Sequence, residues 1–385
     1  MRVLHIYKGD LYGGIETILS TLARTRHLHR FMEPHFALCS QGRLSAELAT
    51  ESVPLYDLGQ VRGRNPVSVW RARQLLADIL RRNQIDVAIC HGAWAQALFG
   101  STVKSANVTQ IFWQHDLITG KGWIETLAAQ VQPKLAISNS SYSQATLARL
   151  YPDVPSRLIY CPVELFDERA LRAEREKIRQ RLNTPAGRCV IVQVSRLHSG
   201  KGHATHLRAL GRLREMQNWE CWIVGGPQRS DEVSYLNSMQ RSCRELGVQQ
   251  RVRFLGERND IPELLAASEI FCQPNTEPEA FGLTFIEALV MGLPVVTSRI
   301  GGACEIVDDT CGVLLEPDDP VSLSVTLANL VQDNEARARL GKAGPARAAK
   351  LCAPETQLGL LADILANLCH RAIPASDGLA ATQGQ

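Results

Sequence analysis

No run of the chain approaches the ~18 consecutive apolar residues of a membrane-spanning helix, so none is expected. There is no CxxC pair and no Cys/His cluster at zinc spacing, although the 385 residues include 11 cysteines. That odd, scattered set, with Cys90, Cys189, Cys221 and Cys272 in apolar runs, reads as small buried hydrophobes in a reducing compartment rather than a disulfide framework. No repeat of roughly 20–50 residues is present, which excludes solenoids. The net charge is only +3, so a global nucleic-acid footprint is missing. The opening MRVLHIY is too short an apolar run for a signal peptide, and a cytoplasmic protein is expected.

What is present is ordinary for a folded chain: 45% hydrophobic and 21% charged residues. The length exceeds one core and predicts two domains of roughly 150–200 residues. Short apolar strands alternate with longer amphipathic stretches from Arg2 onward. This predicts an α/β protein of two doubly wound, Rossmann-like domains around parallel sheets, facing across a cleft. In the first half the expected strands include Arg2–Tyr7, Asp86–Cys90, Val108–Trp113, Leu135–Ser138 and Leu158–Cys161. The expected domains are 1–163 on the acceptor side and 189–351 on the nucleotide side. Between them, 164–188 is a charged helix plus linker. A C-terminal helix, 352–372, packs back on the N-terminal domain, and a flexible tail fills 373–385. Such sheets bind ligands outside the carboxyl ends of their strands.

Charge is unevenly placed. Residues 1–163 carry a net +6 and the rest −3, with arginines clustered at 24/26/30, 62/64 and 71/73/81/82. Either this is a solvated face or it meets an anionic lipid surface or acceptor.

Four loops carry chemistry. The string from Pro274 to Leu289 follows a buried strand and opens a helix. Gly282 allows a close turn, and the amides of Leu283 and Thr284 then suit an anionic phosphate. Glu279 and Glu287, eight residues apart, do not share a helix face and read as hydroxyl acceptors at different depths of one site. The second loop, Ser195 to Gly202, places Arg196 and Lys201 after a buried strand, where they can neutralise a diphosphate from two sides. The third carries Gly13 and Gly14 at a helix entrance, where a ligand can approach the backbone. It is not GxGxxG, so a dinucleotide fingerprint is missing. In the fourth, His115 ends a strand and is expected to point into the cleft, with a near-neutral pKa that lets it donate or accept a proton.

Together these stretches resemble the retaining GT-B glycosyltransferases of glycosyltransferase family 4, from Arg2 to about Leu351. The likeness rests on the E-x7-E pattern of Glu279 and Glu287 around Phe281-Gly282-Leu283, and on S-R-L-x-x-x-K-G from Ser195 to Gly202. It also rests on the strand Val252–Gly256 and on Gly301-Gly302 before Glu305. The resemblance implies transfer of a sugar from a nucleotide-diphosphate sugar to an acceptor hydroxyl, with retention. No metal ion and no cofactor besides the donor are implied. Arg196 and Lys201 would bind the diphosphate, Glu287 the ribose, and Glu279 the donor sugar. Gly13, Gly14, Ser195, Phe254, Phe281, Gly282, Leu283 and Thr284 would line the donor, and His115 would face the sugar. His115, Glu279, Arg196 and Lys201 would form the catalytic set. The implied partners are the donor and a glycan or lipid-linked acceptor in polysaccharide, lipopolysaccharide or glycolipid synthesis, with peripheral contact at an anionic membrane. Gly200 and Gly226 stand where the family often has polar or acidic residues. A non-catalytic nucleotide-binding scaffold is the alternative. A sugar-nucleotide oxidoreductase or epimerase is disfavoured by the missing dinucleotide fingerprint.

Overall fold

A computed structural model describes residues 1–373 and divides the chain into two compact units. The first comprises residues 1–164 and the chain from Cys352 on; the second is Leu165–Leu351.

In the first unit seven strands form one parallel sheet, in the order β3-β2-β1-β4-β5-β6-β7. They are β1 (Arg2–Tyr7), β2 (Glu33–Leu38), β3 (Leu55–Asp57), β4 (Val87–His91), β5 (Thr109–Gln114), β6 (Leu135–Ser138) and β7 (Ser156–Leu158). Helices cover both faces, so central strands such as β4 are buried at every residue. The second unit has six parallel strands, in the order β10-β9-β8-β11-β12-β13. These are β8 (Cys189–Val194), β9 (Trp219–Val224), β10 (Val252–Gly256), β11 (Ile270–Gln273), β12 (Val295–Ser298) and β13 (Gly312–Leu315). Both sheets are doubly wound, reversing direction between β1 and β4 and between β8 and β11.

Several expectations shift. The last strand of the first sheet lies at Ser156–Leu158, not at Leu158–Cys161. Ile159, Cys161 and Val163 are buried; the Ile159 amide still donates to the Ser138 carbonyl of β6 (3.0 Å), but beyond it the chain leaves the sheet edge, and the Val163 amide donates to the Cys352 carbonyl (3.0 Å). Their apolar character serves packing against the returning C-terminal segment rather than a strand. Short helices at Arg43–Thr50, Trp123–Ala129 and Ala303–Ile306 have no counterpart in the sequence reading. Each is too short for hydrophobic periodicity to show.

The segment 164–188 is not a free linker beyond Glu164. It forms the helices Glu168–Ala173 and Arg175–Arg181, and both belong to the second unit. Its arginines explain this. Arg172 donates to the Met291 carbonyl (2.6 Å). The buried Arg179 donates to the carbonyls of Ala267 (3.0 Å) and Arg188 (3.1 Å), and to both oxygens of Glu269 (2.6 and 2.9 Å). Arg175 joins the same carboxylate. What reads in sequence as a charged helix plus linker is in part a set of buried polar clamps.

The helix Pro354–Leu368 lies in the first unit, where Leu358 and Leu361 face a small cavity with Val3, His5 and Leu22. Arg371 beyond it pairs with Asp86 (2.6 Å). Apart from Ile373, the segment 373–385 lies outside the described residues. Among the described residues, no helix is long and apolar enough to cross a membrane.

The clamp gives a direct test. Removing one partner of a buried ion pair strands the other charge, at about 3–5 kcal/mol. Replacing Arg175 and Arg179 together by Ala should therefore lower the unfolding free energy by about that amount, read as a lower urea midpoint at unchanged m. A loss below about 1 kcal/mol, the scale of an exposed pair, would show that Glu269 is relieved by solvent.

Candidate active site

The site grows out of the second sheet's reversal. β8 and β11 are neighbours there, and the chain winds away from them in opposite directions, which leaves a crevice at their carboxyl ends. The loops leaving these two strands are Ser195–Gly202 and Pro274–Gly282. Each strand also ends in or near a glutamine, an unusual residue for a buried strand. Gln193 donates to the Lys201 carbonyl (2.9 Å) and bonds His206 Nδ1 through its Oε1 (2.8 Å). Gln273 donates to Asn275 Oδ1 (3.0 Å) and to Glu279 Oε2 (3.3 Å). Buried amides thus fasten both loops from beneath.

The loops also fasten each other. The amides of Thr276 and Glu277 both donate to the Gly200 carbonyl (2.9 and 3.3 Å). Gly202 sits at φ +71°, and a Cβ there would lie 1.7 Å from the Pro274 carbonyl oxygen, so only glycine permits the approach. A side chain at Gly200 would meet Glu277 Oε2 at 2.7 Å, so Glu277 occupies the space this position leaves. From a third loop, Gly302 donates its amide to the Glu279 carbonyl (2.8 Å).

This framework brings the predicted side chains together. Lys201 Nζ and Glu279 Oε1 form an ion pair, while Asn275 Nδ2 donates to Glu279 Oε2 (2.9 Å). Burial works against ionising Glu279. The Lys201 charge and hydrogen bond, then Asn275 and the charge of Arg196, outweigh it and hold the carboxyl below its ordinary range. Arg196 is exposed at the rim. The helix Leu283–Val290 starts at Gly282, whose φ is +111°. Phe285 N is bonded to the Gly282 carbonyl (3.0 Å). The amides of Leu283 and Thr284 are the first two of this helix and so have no intrahelical partner, at its positive end.

Residues 174–347 match the family described as Glycosyl transferases group 1. That stretch contains the whole loop cluster and is just under half of the chain. The D-inositol 3-phosphate glycosyltransferase of Corynebacterium efficiens is 33% identical over 173 residues, 43% of this chain and 40% of that protein. The protein of the same description from Salinispora arenicola is 32% identical over 193 residues, 48% of this chain and 42% of that one. The chain thus spans less than half the length of the curated relatives it matches. Solved structures resemble it over nearly all its length. Anabaena HepE, in complex with UDP and glucose, has a TM-score of 0.81 at 23% identity, covering 95% of this chain and 100% of that one. A glycosyltransferase from Rickettsia africae has a TM-score of 0.83 at 21% identity, covering 96% and 99%. The chain has the GT-B fold.

Within the group 1 segment the remaining site residues differ in exposure. Ser195 bonds His203 Nε2 (3.1 Å) and is half-buried. Phe281 is buried in the core, and Phe254 packs against the hydrophobic cluster under β8 to β10. Sequence reasoning missed Gln193, Gln273 and Asn275. Their signal was a polar residue at or after the end of an apolar strand.

Gly13, Gly14 and His115 belong to the first unit. Gly13 uses its amide on Glu16 Oε2 (2.9 Å), and the other carboxylate oxygen accepts from the Tyr7 hydroxyl (2.7 Å), so this amide is committed to a buried cap. A Cβ on Gly14 would meet nothing within 4 Å, which leaves space above that turn. The near-neutral pKa expected of His115 is corrected. The side chain is buried, its Nε2 bonds His91 Nδ1 (2.8 Å), and burial pulls its pKa down to about 3. His115 is neutral at physiological pH and is not a ready proton acceptor.

Glu287 contrasts with Glu279. It is half-buried in an apolar helix, no other side chain among the described residues pairs with it, and burial pushes its carboxyl up to about 7. An unfolded glutamate titrates near ~4.3. The folded chain therefore keeps this proton where the unfolded chain has lost it, and its contribution to stability fades as pH rises from about 4.5 through 7. Glu287→Gln should raise the unliganded Tm more at pH 8 than at pH 5. Equal shifts at both pH values would contradict the raised pKa.

Proposed function

We propose that the chain is a retaining glycosyltransferase of family 4, moving a sugar from a nucleotide-diphosphate sugar to an acceptor hydroxyl without a metal ion. The observation that carries the reading is the Lys201–Glu279 pair, within the field of Arg196, on the two loops at the β8/β11 reversal, the second of which leads into the helix Leu283–Val290. In such a transfer, charge develops on the leaving diphosphate. Two cations and the first two amides of that helix stabilise it without rearranging. The Lys201–Glu279 pair holds the ammonium in place before the diphosphate arrives. It also keeps Glu279 ionised, as an acceptor for a donor-sugar hydroxyl. Glu287, half-buried one helical turn into Leu283–Val290, receives the ribose hydroxyls. The leaving phosphate assists removal of the acceptor proton. The match to group 1 and the resemblance to HepE, solved with UDP and glucose, support a sugar-nucleotide donor. The inositol-phosphate relatives support a polyhydroxyl acceptor, in line with a role in glycolipid, lipopolysaccharide or polysaccharide synthesis.

A thermal-shift screen of UDP-, GDP- and ADP-glucose identifies the base, since a ligand of the folded state raises Tm by mass action. Arg196→Ala and Lys201→Ala should each weaken binding of the matching nucleoside diphosphate by ~1.5–3 kcal/mol, the scale of a charged hydrogen bond. Binding of the bare nucleoside should be almost unchanged. Equal losses for both ligands would remove these side chains from the diphosphate.

The +6 charge of residues 1–163 supports contact with an anionic bilayer on the cytoplasmic face. The helix Pro66–Arg82 exposes Trp70, Val67 and Leu75 beside Arg71 and Arg82. Its basic set is smaller than the sequence suggests. Arg73 donates to the Leu98 carbonyl (2.6 Å) and Arg81 pairs with Asp78 (2.6 Å). The protein should cosediment with phosphatidylglycerol vesicles at low salt and less at moderate salt. Trp70→Ser with Arg71→Gln should abolish this, and no binding by the unmodified protein would rule the contact out.

A further inference from the structure

The carboxyl ends of the first unit's strands carry side chains that the proposed donor site does not use. Trp94 lies three residues after β4, and Trp123 opens the helix Trp123–Ala129 after β5. Both approach Gly63, in the turn closed by the Asn65 amide on the Arg62 carbonyl (2.8 Å). A Cβ on Gly63 would lie 3.7 Å from Trp94 Nε1 and 3.9 Å from the Trp123 ring. These are ordinary contact distances, so the glycine leaves a gap between two indoles.

The two rings are held differently. Trp94 is half-buried. It packs on the cluster beneath it and edge-on to Phe99 (6.1 Å), and Lys8 Nζ lies 5.6 Å from its ring centre. Trp123 is 53% exposed. Its place in the chain is nonetheless fixed, because Glu125 anchors the loop before it. That carboxylate accepts from the amides of Thr119 (3.0 Å) and Gly120 (2.7 Å) and from the Thr119 hydroxyl (2.8 Å). Neither indole N–H has a hydrogen-bond partner among the described residues.

Positive charge accompanies the gap. Arg62 and Arg64 flank Gly63 in sequence, and Lys121 precedes Trp123 by two residues. Lys8 is paired with Asp10. The side chains of Arg62, Arg64 and Lys121 are exposed and have no ion-pair or hydrogen-bond partner among the described residues.

Indoles and free cations ask for different parts of a ligand. An indole offers an apolar face and one N–H donor. A pyranose answers both, with a face of C–H groups and a rim of hydroxyls. Guanidinium and ammonium groups take an oxyanion. A phosphomonoester carries roughly −1.5 to −2 charges at pH 7, closer than a single carboxylate to what three cations neutralise. Open α/β sheets bind ligands outside the carboxyl ends of their strands, where this gap lies.

We propose that the gap at Gly63 binds a phosphorylated pyranose, its ring against Trp123 and Trp94 and its phosphate met by Arg62, Arg64 and Lys121. The site lies wholly within the first unit. That the bound sugar is the acceptor rests on the glycosyltransferase reading; that it binds does not.

Fluorine NMR of the full chain labelled with 5-fluorotryptophan reads the six tryptophans separately, with Trp94→Phe and Trp123→Phe assigning two of the signals. Glucose 6-phosphate should shift the Trp94 and Trp123 signals saturably, with a Kd of ~1 mM. The buried Trp113, Trp219 and Trp222 should not respond. Glucitol 6-phosphate has the charge without the ring, and methyl β-glucopyranoside has the ring without the charge. Each should bind ~10-fold more weakly or worse, because one class of contact is missing. Gly63→Val, which fills the gap, should weaken glucose 6-phosphate ~10-fold, and so should Arg62→Gln with Arg64→Gln, both at unchanged Tm. Equal affinity for glucitol 6-phosphate would take the ring off the indoles, and equal affinity for the methyl glucoside would take the phosphate off the cations. Either result overturns the proposal. So does the lack of any shift in the unmodified protein, which depends on no variant folding. A Trp123 signal that answers only to phosphatidylglycerol vesicles overturns it as well, making the indole a membrane contact. No donor and no turnover enter these measurements. Failure here leaves the nucleotide site of the second unit standing, and failure of that site would leave these shifts unchanged.

Discussion

The ion pair between Lys201 and Glu279 is the contact around which the second unit's site is arranged. It joins the loops that leave β8 and β11, the two strands at which the sheet reverses. Neither partner is free to wander. Lys201 is held through its carbonyl by Gln193, and Glu279 through its second oxygen by Asn275 and Gln273. Gly202 adds the backbone condition, since nothing larger fits beneath the Pro274 carbonyl. A charge pair that was merely exposed would contribute little. This one is half-buried and braced on both sides, so its geometry is set before any ligand arrives.

The two glutamates eight residues apart show how one helix entrance can support opposite electrostatic states. Glu279 lies before the helix, next to a lysine and within the field of Arg196, and is held ionised. Glu287 lies inside the helix among apolar residues and is held close to neutral up to about pH 7. Environment alone separates them, as it does wherever paired carboxylates take different roles. For a ligand with a diphosphate at one end and hydroxyls at the other, that difference supplies distinct partners along its length.

In the first unit the polar groups near the sheet reversal are mostly committed. Glu16 is buried under the Gly13 turn and ties it to Tyr7. The histidines of β1, β4 and the end of β5 are tied to one another. Order in this unit comes from bonds between neutral polar groups, whereas the second unit relies on a braced charge pair. Neutral chains of this kind tolerate burial because no member carries an uncompensated charge.

Much of this architecture was legible in the sequence because parallel strands buried on both faces declare themselves as apolar runs. The strands Arg2–Tyr7 and Leu135–Ser138 are bounded in the structure as their sequences suggest. That Arg196, Lys201 and Glu279 lie on loops after buried strands, and Glu287 in the helix that follows, was legible because each comes after an apolar run. Tertiary structure alone decided how those groups behave. It turned the 164–188 charge run into clamps on Ala267, Glu269 and Met291, because carbonyls distant in sequence needed donors. It gave Gln193, Gln273 and Asn275 their bracing roles through partners on other elements. Above all it took His115 from a near-neutral acid–base candidate to a neutral link in a buried chain. Sequence reports a histidine's identity, but its proton affinity and tautomer depend on what surrounds it, and here His5 and His91 arrive from strands 110 and 24 residues away.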